Sequence, residues 1–150
     1  MNDNYLLENK DVFLEKDFSF VEEVLTFLKN YDLDGKAVLV GSARKNYIQG
    51  NGKNYNDIDV LIGWNIYNDK NADNCIENLH TDNYPRGWYV EAIHSSEYTS
   101  GYGGVTKVKD RFKIHKEDKT LIDLIFEAER SHMEEAEMSR LGHPLKPLRN

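Results

Sequence analysis

The sequence has little cysteine, no long apolar run and no excess of basic residues. A single cysteine, Cys75, excludes an internal disulfide bond and a zinc site built from several cysteines. No stretch approaches the roughly 18 consecutive apolar residues of a membrane-spanning helix. Residues 1–10 lack the apolar segment of a secretory signal. We therefore expect a protein of the reducing cytoplasm that does not enter a membrane.

The charge balance is acidic. The chain carries 19 Lys and Arg against 26 Asp and Glu, a formal net charge of −7. Indiscriminate binding to nucleic acid needs a basic surface, so this balance argues against it. A length of 150 residues with 39% hydrophobic and 30% charged residues fits one globular domain. We predict a polar lead-in at 1–16, a folded domain at 17–142 and a tail at 143–150.

Hydrophobic periodicity predicts alternating helices and strands. The helices are expected at 19–31, 71–80 and 127–141, with a short helical segment at 43–49. The strands are expected at 37–40, 57–62, 88–94, 105–115 and 120–126, with loops at 50–56 and 95–104. Ser19 and Glu22 form a capping-box pattern at the first helix. This order predicts a mixed α/β fold with helices packed against a sheet.

A Gly-Ser pair follows the first predicted strand. Gly41 allows a ligand to approach the backbone closely, and Ser42 offers a hydroxyl beside free backbone N–H groups. A helix that begins here would attract a phosphate group. The alternative is an ordinary turn.

Two carboxylates precede the apolar part of the second predicted strand. Asp57 and Asp59 are two residues apart, so in a strand they lie on the same face. Two side chains with the unperturbed aspartate pKa of about 3.9 would both be ionised at neutral pH, and their repulsion would call for a cation. Oxygen ligands of this kind suit Mg²⁺ or Mn²⁺. The alternative is a solvated entry to the strand.

A third carboxylate, Asp123, interrupts the apolar run Leu121–Phe126. Burial of an unpaired charge is expensive, so Asp123 needs a metal, a cationic partner or a position facing a cleft. The alternative is a solvent-facing position on an edge strand.

The three motifs together resemble the nucleotidyltransferase superfamily typified by DNA polymerase beta. The matching segments are V-L-V-G-S-A-R-K at 38–45, N-D-I-D-V-L-I at 56–62 and L-I-D-L-I-F at 121–126. The resemblance spans roughly residues 37–126. It implies a nucleotidyltransferase-like mixed β-sheet with helices packed against it. It also implies transfer of a nucleoside monophosphate from an NTP such as ATP to an acceptor hydroxyl, with Mg²⁺ or Mn²⁺ as cofactor.

The resemblance assigns the catalytic and metal-binding roles to Asp57, Asp59 and Asp123. Glu91, in the predicted strand 88–94, is the alternative third acid, because compact members of the superfamily place that residue nearer the D-x-D motif. We favour Asp123.

The resemblance assigns nucleotide binding to Gly41 and Ser42. Arg44 and Lys45 follow this pair directly and are further candidate phosphate ligands, and the alternative is that they are ordinary surface residues of a helical turn. A basic row alternates along the strand 105–115 and comprises Lys107, Lys109, Arg111, Lys113 and His115. The row either binds phosphate groups or is a solvated edge strand. Whether it shares a face with Asp123 depends on the register of the hairpin.

The acceptor is left open as a small molecule, a protein or RNA, and the surface that recognises it is expected to come from loops of this chain, from a second subunit in a homo-oligomer or from a protein partner. One alternative function is a catalytically inert relative that binds nucleotide or protein as a regulator or antitoxin. A less favoured alternative is a nucleotide-sugar glycosyltransferase that uses Asp57 and Asp59 as its D-x-D motif.

Overall fold

The structure is a computed structural model and describes residues 9–51, 53–63, 66, 68–99 and 105–128. Its helices are α1 (Asn9–Val12), α2 (Phe18–Lys29), α3 (Gly41–Ile48) and α4 (Lys70–His80). Its strands are β1 (Ala37–Val40), β2 (Ile58–Ile62), β3 (Tyr89–Ala92), β4 (Glu97–Thr99), β5 (Val105–His115) and β6 (Ile122–Glu127). Single 3₁₀ turns lie at Glu15–Asp17 and Asp34–Lys36. These elements confirm the predicted mixed α/β class.

The sheet has the strand order β1-β2-β6-β5-β3, and the short strand β4 also pairs with β5. Strands β2 and β6 are parallel, whereas every other pair is antiparallel. Both strands of the parallel pair are interior strands, because β1 lies beside β2 and β5 lies beside β6. The sheet therefore places the D-x-D segment of β2 next to the Asp123 segment of β6.

The two faces of the sheet differ. On one face, α2 and α4 pack on alternate strand residues to form the main core, with Leu39, Val60 and Leu124 at its centre. The opposite face carries a smaller apolar cluster of Val38, Val40, Leu61, Tyr98, Val108 and Ile125. The acidic residues of the D-x-D motif lie on this second face, which we call the acid face.

Helix α2 begins one residue before the predicted position and does not use the predicted capping box. The residue at its N-cap is Asp17, whose side chain makes no capping hydrogen bond. The buried Asp17 carboxylate instead accepts hydrogen bonds from the Tyr55 hydroxyl (2.8 Å), the Thr120 backbone N–H (3.0 Å) and Lys16 Nζ (3.1 Å). We call these four residues the Asp17 junction. It connects the start of α2 to the loop before β2 and to the turn before β6.

The segment before residue 17 also contributes to the core, because Val12 and Phe13 are buried there. At the other end of the described chain, β6 continues through Glu127, which the sequence pattern assigned to a helix. The rest of that predicted helix and the predicted tail at 143–150 lie outside the described residues. Strand β4 lies within a segment predicted to be a loop.

None of the helices among the described residues has the length and apolar character needed to span a membrane.

Candidate functional site

Three carboxylates meet on the acid face where β2 and β6 begin. Asp57 immediately precedes β2, Asp59 lies within β2, and Asp123 lies beside Asp59 on the parallel strand β6. Each offers a carboxylate oxygen, and these oxygens all lie within 4.8 Å of one another. We call these three residues the acidic cluster. The predicted same-face arrangement of Asp57 and Asp59 is therefore observed, and Asp123 joins it through strand pairing.

Burial makes the acidic cluster electrostatically unusual. The exposed fraction is 9% for Asp59 and 1% for Asp123, while Asp57 is half-buried. Burial and, to a smaller extent, the negative charges of Asp57 and Asp123 raise the pKa of Asp59. The Tyr98 hydrogen bond and the charge of Arg111 oppose this rise, and the resulting pKa is about 7. A carboxylate with such a pKa is one whose charge the surrounding chain does not fully compensate.

The hydrogen bonding of Asp59 is incomplete. The Tyr98 hydroxyl donates to Asp59 Oδ2 at 2.6 Å. The other oxygen, Oδ1, is buried and has no hydrogen-bond partner within the described part of the chain. Buried polar atoms without a partner are rare, and each one calls for an explanation. An unsatisfied oxygen flanked by two further carboxylates is a donor set that fits a hard divalent cation such as Mg²⁺ or Mn²⁺.

Asp123 has a cationic partner. Arg111 Nε lies 2.9 Å from Asp123 Oδ1 and 3.1 Å from Oδ2, and Arg111 Nη2 lies 2.5 Å from Oδ2. The Arg111 guanidinium also lies over the Tyr98 ring, 5.3 Å from its centroid. Hydrogen bonding to Asp123 raises the pKa of Arg111. Of the three environments that the sequence left open for Asp123, the cationic partner is the one observed.

Strand register decides which face the basic row occupies. Lys113 pairs directly with Asp123 across β5 and β6, so Lys113 and Arg111 lie on the acid face. A β-bulge between Val108 and Asp110 interrupts the alternation. Lys109 lies inside this bulge and binds Asp73 of α4, on the opposite face of the sheet. The predicted row is thus divided between the two faces of the sheet.

Glu91 lies apart from the acidic cluster. Strand β3 pairs with β5, which separates it from β6, and Glu91 Oε1 lies 3.3 Å from Nε2 of His115. The acidic cluster therefore contains Asp123, and Glu91 is not part of it.

Gly41 lies against the acidic cluster at the point where β1 becomes α3. Its neighbour Val40 pairs with Asp59, and Gly41 itself has a φ of +71°. A Cβ atom on residue 41 would lie 2.2 Å from Asp59 Oδ2 and 2.8 Å from the Tyr98 hydroxyl. Both the backbone conformation and the space thus require glycine here. The group that lies against Gly41 in the structure is a carboxylate of this chain, and the approach of a ligand to its backbone stays a prediction.

The other residues predicted to bind nucleotide all lie on α3. Ser42 is exposed in the first turn, next to the acidic cluster. Lys45 is half-buried, and Arg44 is buried with only 3% exposure. Both residues take part in interactions within the chain. Their role as phosphate ligands remains a prediction.

The sequence did not predict the roles of two residues at the site, Tyr98 and Arg111. Tyr98 lies in the segment predicted to be a loop, and no local pattern connects it to Asp59, 39 positions earlier. Arg111 was one member of the basic row, and its pairing with Asp123 follows only from the register of β5 against β6.

Comparisons with known proteins give limited similarity. No protein-family model and no curated protein matches the sequence. A solved structure described as "Structural Basis for the Activity of a Cytoplasmic RNA Terminal U-transferase" aligns with 18% sequence identity and a TM-score of 0.43. The alignment covers 79% of this chain and 31% of that one, so this chain spans about a third of the other's length. The function proposed below therefore depends on the geometry of this chain's own residues.

Proposed function

We propose that this chain is a metal-dependent nucleotidyltransferase, which moves a nucleoside monophosphate from an NTP to an acceptor hydroxyl. The observation that supports this most strongly is the acidic cluster with the unsatisfied Asp59 Oδ1 at its centre. Three carboxylates that converge from two strands, two of them buried, are costly unless a cation neutralises them. The close approach of Gly41 to the same carboxylates adds a backbone positioned beside the cluster.

Each residue of the site has its own role in this proposal. Asp57 and Asp59 would hold a divalent cation that accompanies the triphosphate, and the Tyr98 hydroxyl orients the Asp59 carboxylate. Such a cation, when bound, would supply the positive charge that lowers the barrier to phosphoryl transfer. The backbone at Gly41 and the Ser42 hydroxyl bind the terminal phosphates. To Asp123 we assign the acceptor side, where its carboxylate accepts the proton of the attacking hydroxyl.

We further propose that the acceptor is a small molecule, a protein or RNA, and that the protein acts in the cytoplasm.

A transfer assay tests the proposal. The protein is incubated with α-labelled NTPs, Mg²⁺ or Mn²⁺, and RNA, protein or small hydroxyl acceptors, and NTP binding is measured in parallel. We expect the double variant Asp57→Asn/Asp59→Asn to lose metal-dependent NTP binding and label transfer. The matched control, Glu91→Gln/Glu97→Gln, removes the same number of charges from β3 and β4, outside the acidic cluster. We expect it to retain both properties.

Single variants test the third acid. Asp123→Asn should abolish transfer and retain much of the NTP binding, whereas Glu91→Gln should be mild. The reverse pattern would move the role to Glu91. Metal-independent NTP binding that the double variant retains would contradict the proposed site.

An inert nucleotide-binding relative is the second candidate. The observation that favours it is the ion pair of Arg111 with both oxygens of Asp123, which leaves the third carboxylate committed to a side chain. Metal-dependent NTP binding without label transfer to any acceptor would support this candidate.

A further inference from the structure

Arg111 occupies the position at Asp123 that a cation would need. Its guanidinium contacts both carboxylate oxygens, with N–O distances from 2.5 to 3.1 Å. The Asp123 side chain is 1% exposed and that of Arg111 is 20% exposed. A buried carboxylate that lost this partner without a replacement would be strongly destabilised. Asp123 therefore needs one cation at all times.

The neighbouring cation Lys113 does not fill that role. It pairs with Asp123 in strand register and lies on the same face. Within the described residues, however, Lys113 forms neither an ion pair nor a side-chain hydrogen bond. The chain thus places two positive charges near Asp123, and one of them binds it directly.

We propose that Arg111 and a divalent cation bind the Asp123 carboxylate in alternation, so that Arg111 sets the metal affinity of the acidic cluster. This inference rests on the proposed function. Asp57 and Asp59 Oδ1 can bind a cation while Arg111 stays in place, because neither is hydrogen-bonded to it in the described contacts. Full use of Asp123 as a ligand requires Arg111 to move away. In this state the guanidinium remains on the acid face, where the phosphate groups of a bound NTP offer a new partner.

Arg111 is in this view a positioning residue, and it has two effects that can be measured separately. Without metal, it keeps Asp123 neutralised and the site ordered. With metal, it competes for the same oxygens. Its removal should therefore destabilise the metal-free protein and strengthen metal binding, which a purely structural ion pair would not do.

The test measures binding of Mn²⁺ alone to the full chain, from the electron paramagnetic resonance signal of the free ion, without nucleotide. Arg111→Met removes both charge and hydrogen bonds, and Arg111→Lys keeps the charge. Lys113→Met is the matched control, because it removes one positive charge from the same strand and face. We expect Arg111→Met to bind Mn²⁺ about tenfold more tightly than the wild type and Lys113→Met to change the affinity by less than about threefold. Arg111→Lys should lie between the wild type and Arg111→Met.

Thermal melting without metal gives the second measurement. Arg111→Met should lower the Tm by about 5–10 °C, and the added change Asp123→Asn should restore most of it. If Arg111→Met does not fold, the same affinity comparison is made with Arg111→Lys.

The outcomes separate two failures. Equal or weaker Mn²⁺ binding by the Arg111 variants, or an equal gain in Lys113→Met, would overturn the alternation and leave the proposed function intact. An absence of Mn²⁺ binding in both the wild type and the Arg111 variants would contradict the proposed function itself, and the alternation with it.

Discussion

The Asp17 junction and the acidic cluster shift the pKa of a buried aspartate in opposite directions. At Asp17, burial alone would raise the pKa, but hydrogen bonds from Thr120, Tyr55 and Lys16 lower it below its ordinary value. At Asp59, burial together with two neighbouring carboxylates raises the pKa to about 7. Both residues are buried, so burial alone does not distinguish a carboxylate that the fold fully satisfies from one proposed to bind a metal. What distinguishes them is whether the chain itself supplies enough donors.

The largest expected effect is found by making the same substitution, aspartate to asparagine, at Asp59 and at Asp17. Asp59→Asn should lower nucleotidyl transfer by about a thousandfold, equivalent to about 4 kcal/mol of transition-state stabilisation. It should leave the free energy of unfolding unchanged or raise it by about 1 kcal/mol, because it removes one of three like charges. Asp17→Asn should instead lower the free energy of unfolding by about 2–3 kcal/mol and leave the activity of the folded protein near that of the wild type.

Urea unfolding and the transfer assay, both applied to both variants, check this prediction. A loss of stability in Asp59→Asn comparable with that in Asp17→Asn would mean that the acidic cluster is a structural network, and the contrast would fail.

The next effect concerns the glycine beside the acidic cluster. Gly41 and Gly50 have similar positive φ values, +71° and +75°. A Cβ at residue 50 would meet nothing within 4 Å, whereas one at residue 41 would overlap Asp59 Oδ2. Gly50→Ala should therefore cost only the backbone strain of about 1 kcal/mol, and Gly41→Ala about 3 kcal/mol in total.

Gly41→Ala should also weaken Mn²⁺ binding, because the Asp59 carboxylate must move to accommodate the methyl group. Unfolding free energies and Mn²⁺ affinities of both variants are the measurements. Equal effects of the two substitutions would show that the contact between Gly41 and the acidic cluster has no energetic consequence.

Local patterns in the sequence were sufficient for one part of the site and insufficient for another. The apolar run before Gly41 and the two-residue spacing of Asp57 and Asp59 predicted β1, β2 and the shared face, because strand geometry relates neighbours in sequence. The mixed α/β class followed from the order of such elements.

The partners of those carboxylates depend on long-range pairing, which no local pattern determines. Arg111 reaches Asp123 because β5 pairs with β6 in one register, and a β-bulge before Arg111 reverses the face alternation of the first part of β5. Tyr98 reaches Asp59 from a three-residue strand in a segment that resembles a loop. The burial of Asp17 was missed for the same reason, since its donors Tyr55 and Thr120 are distant in sequence.

The smallest effect is the pH dependence of the Asp17 junction. The folded-state pKa of Asp17 is lowered, so the ionised form stabilises the fold above the unfolded-state pKa of about 3.9. This contribution is lost as the pH falls through the lower folded-state value. The difference in unfolding free energy between the wild type and Asp17→Asn should therefore be constant from about pH 5 to 7 and shrink below about pH 4. Urea titrations at several pH values measure this difference, and the contribution of the acidic cluster cancels because the cluster is present in both proteins.

The control is Asp118→Asn, which changes an exposed aspartate in the turn between β5 and β6 and should differ little from the wild type at any pH. A wild-type advantage over Asp17→Asn that persists unchanged to pH 3 would mean that the ionised carboxylate is not what the junction stabilises.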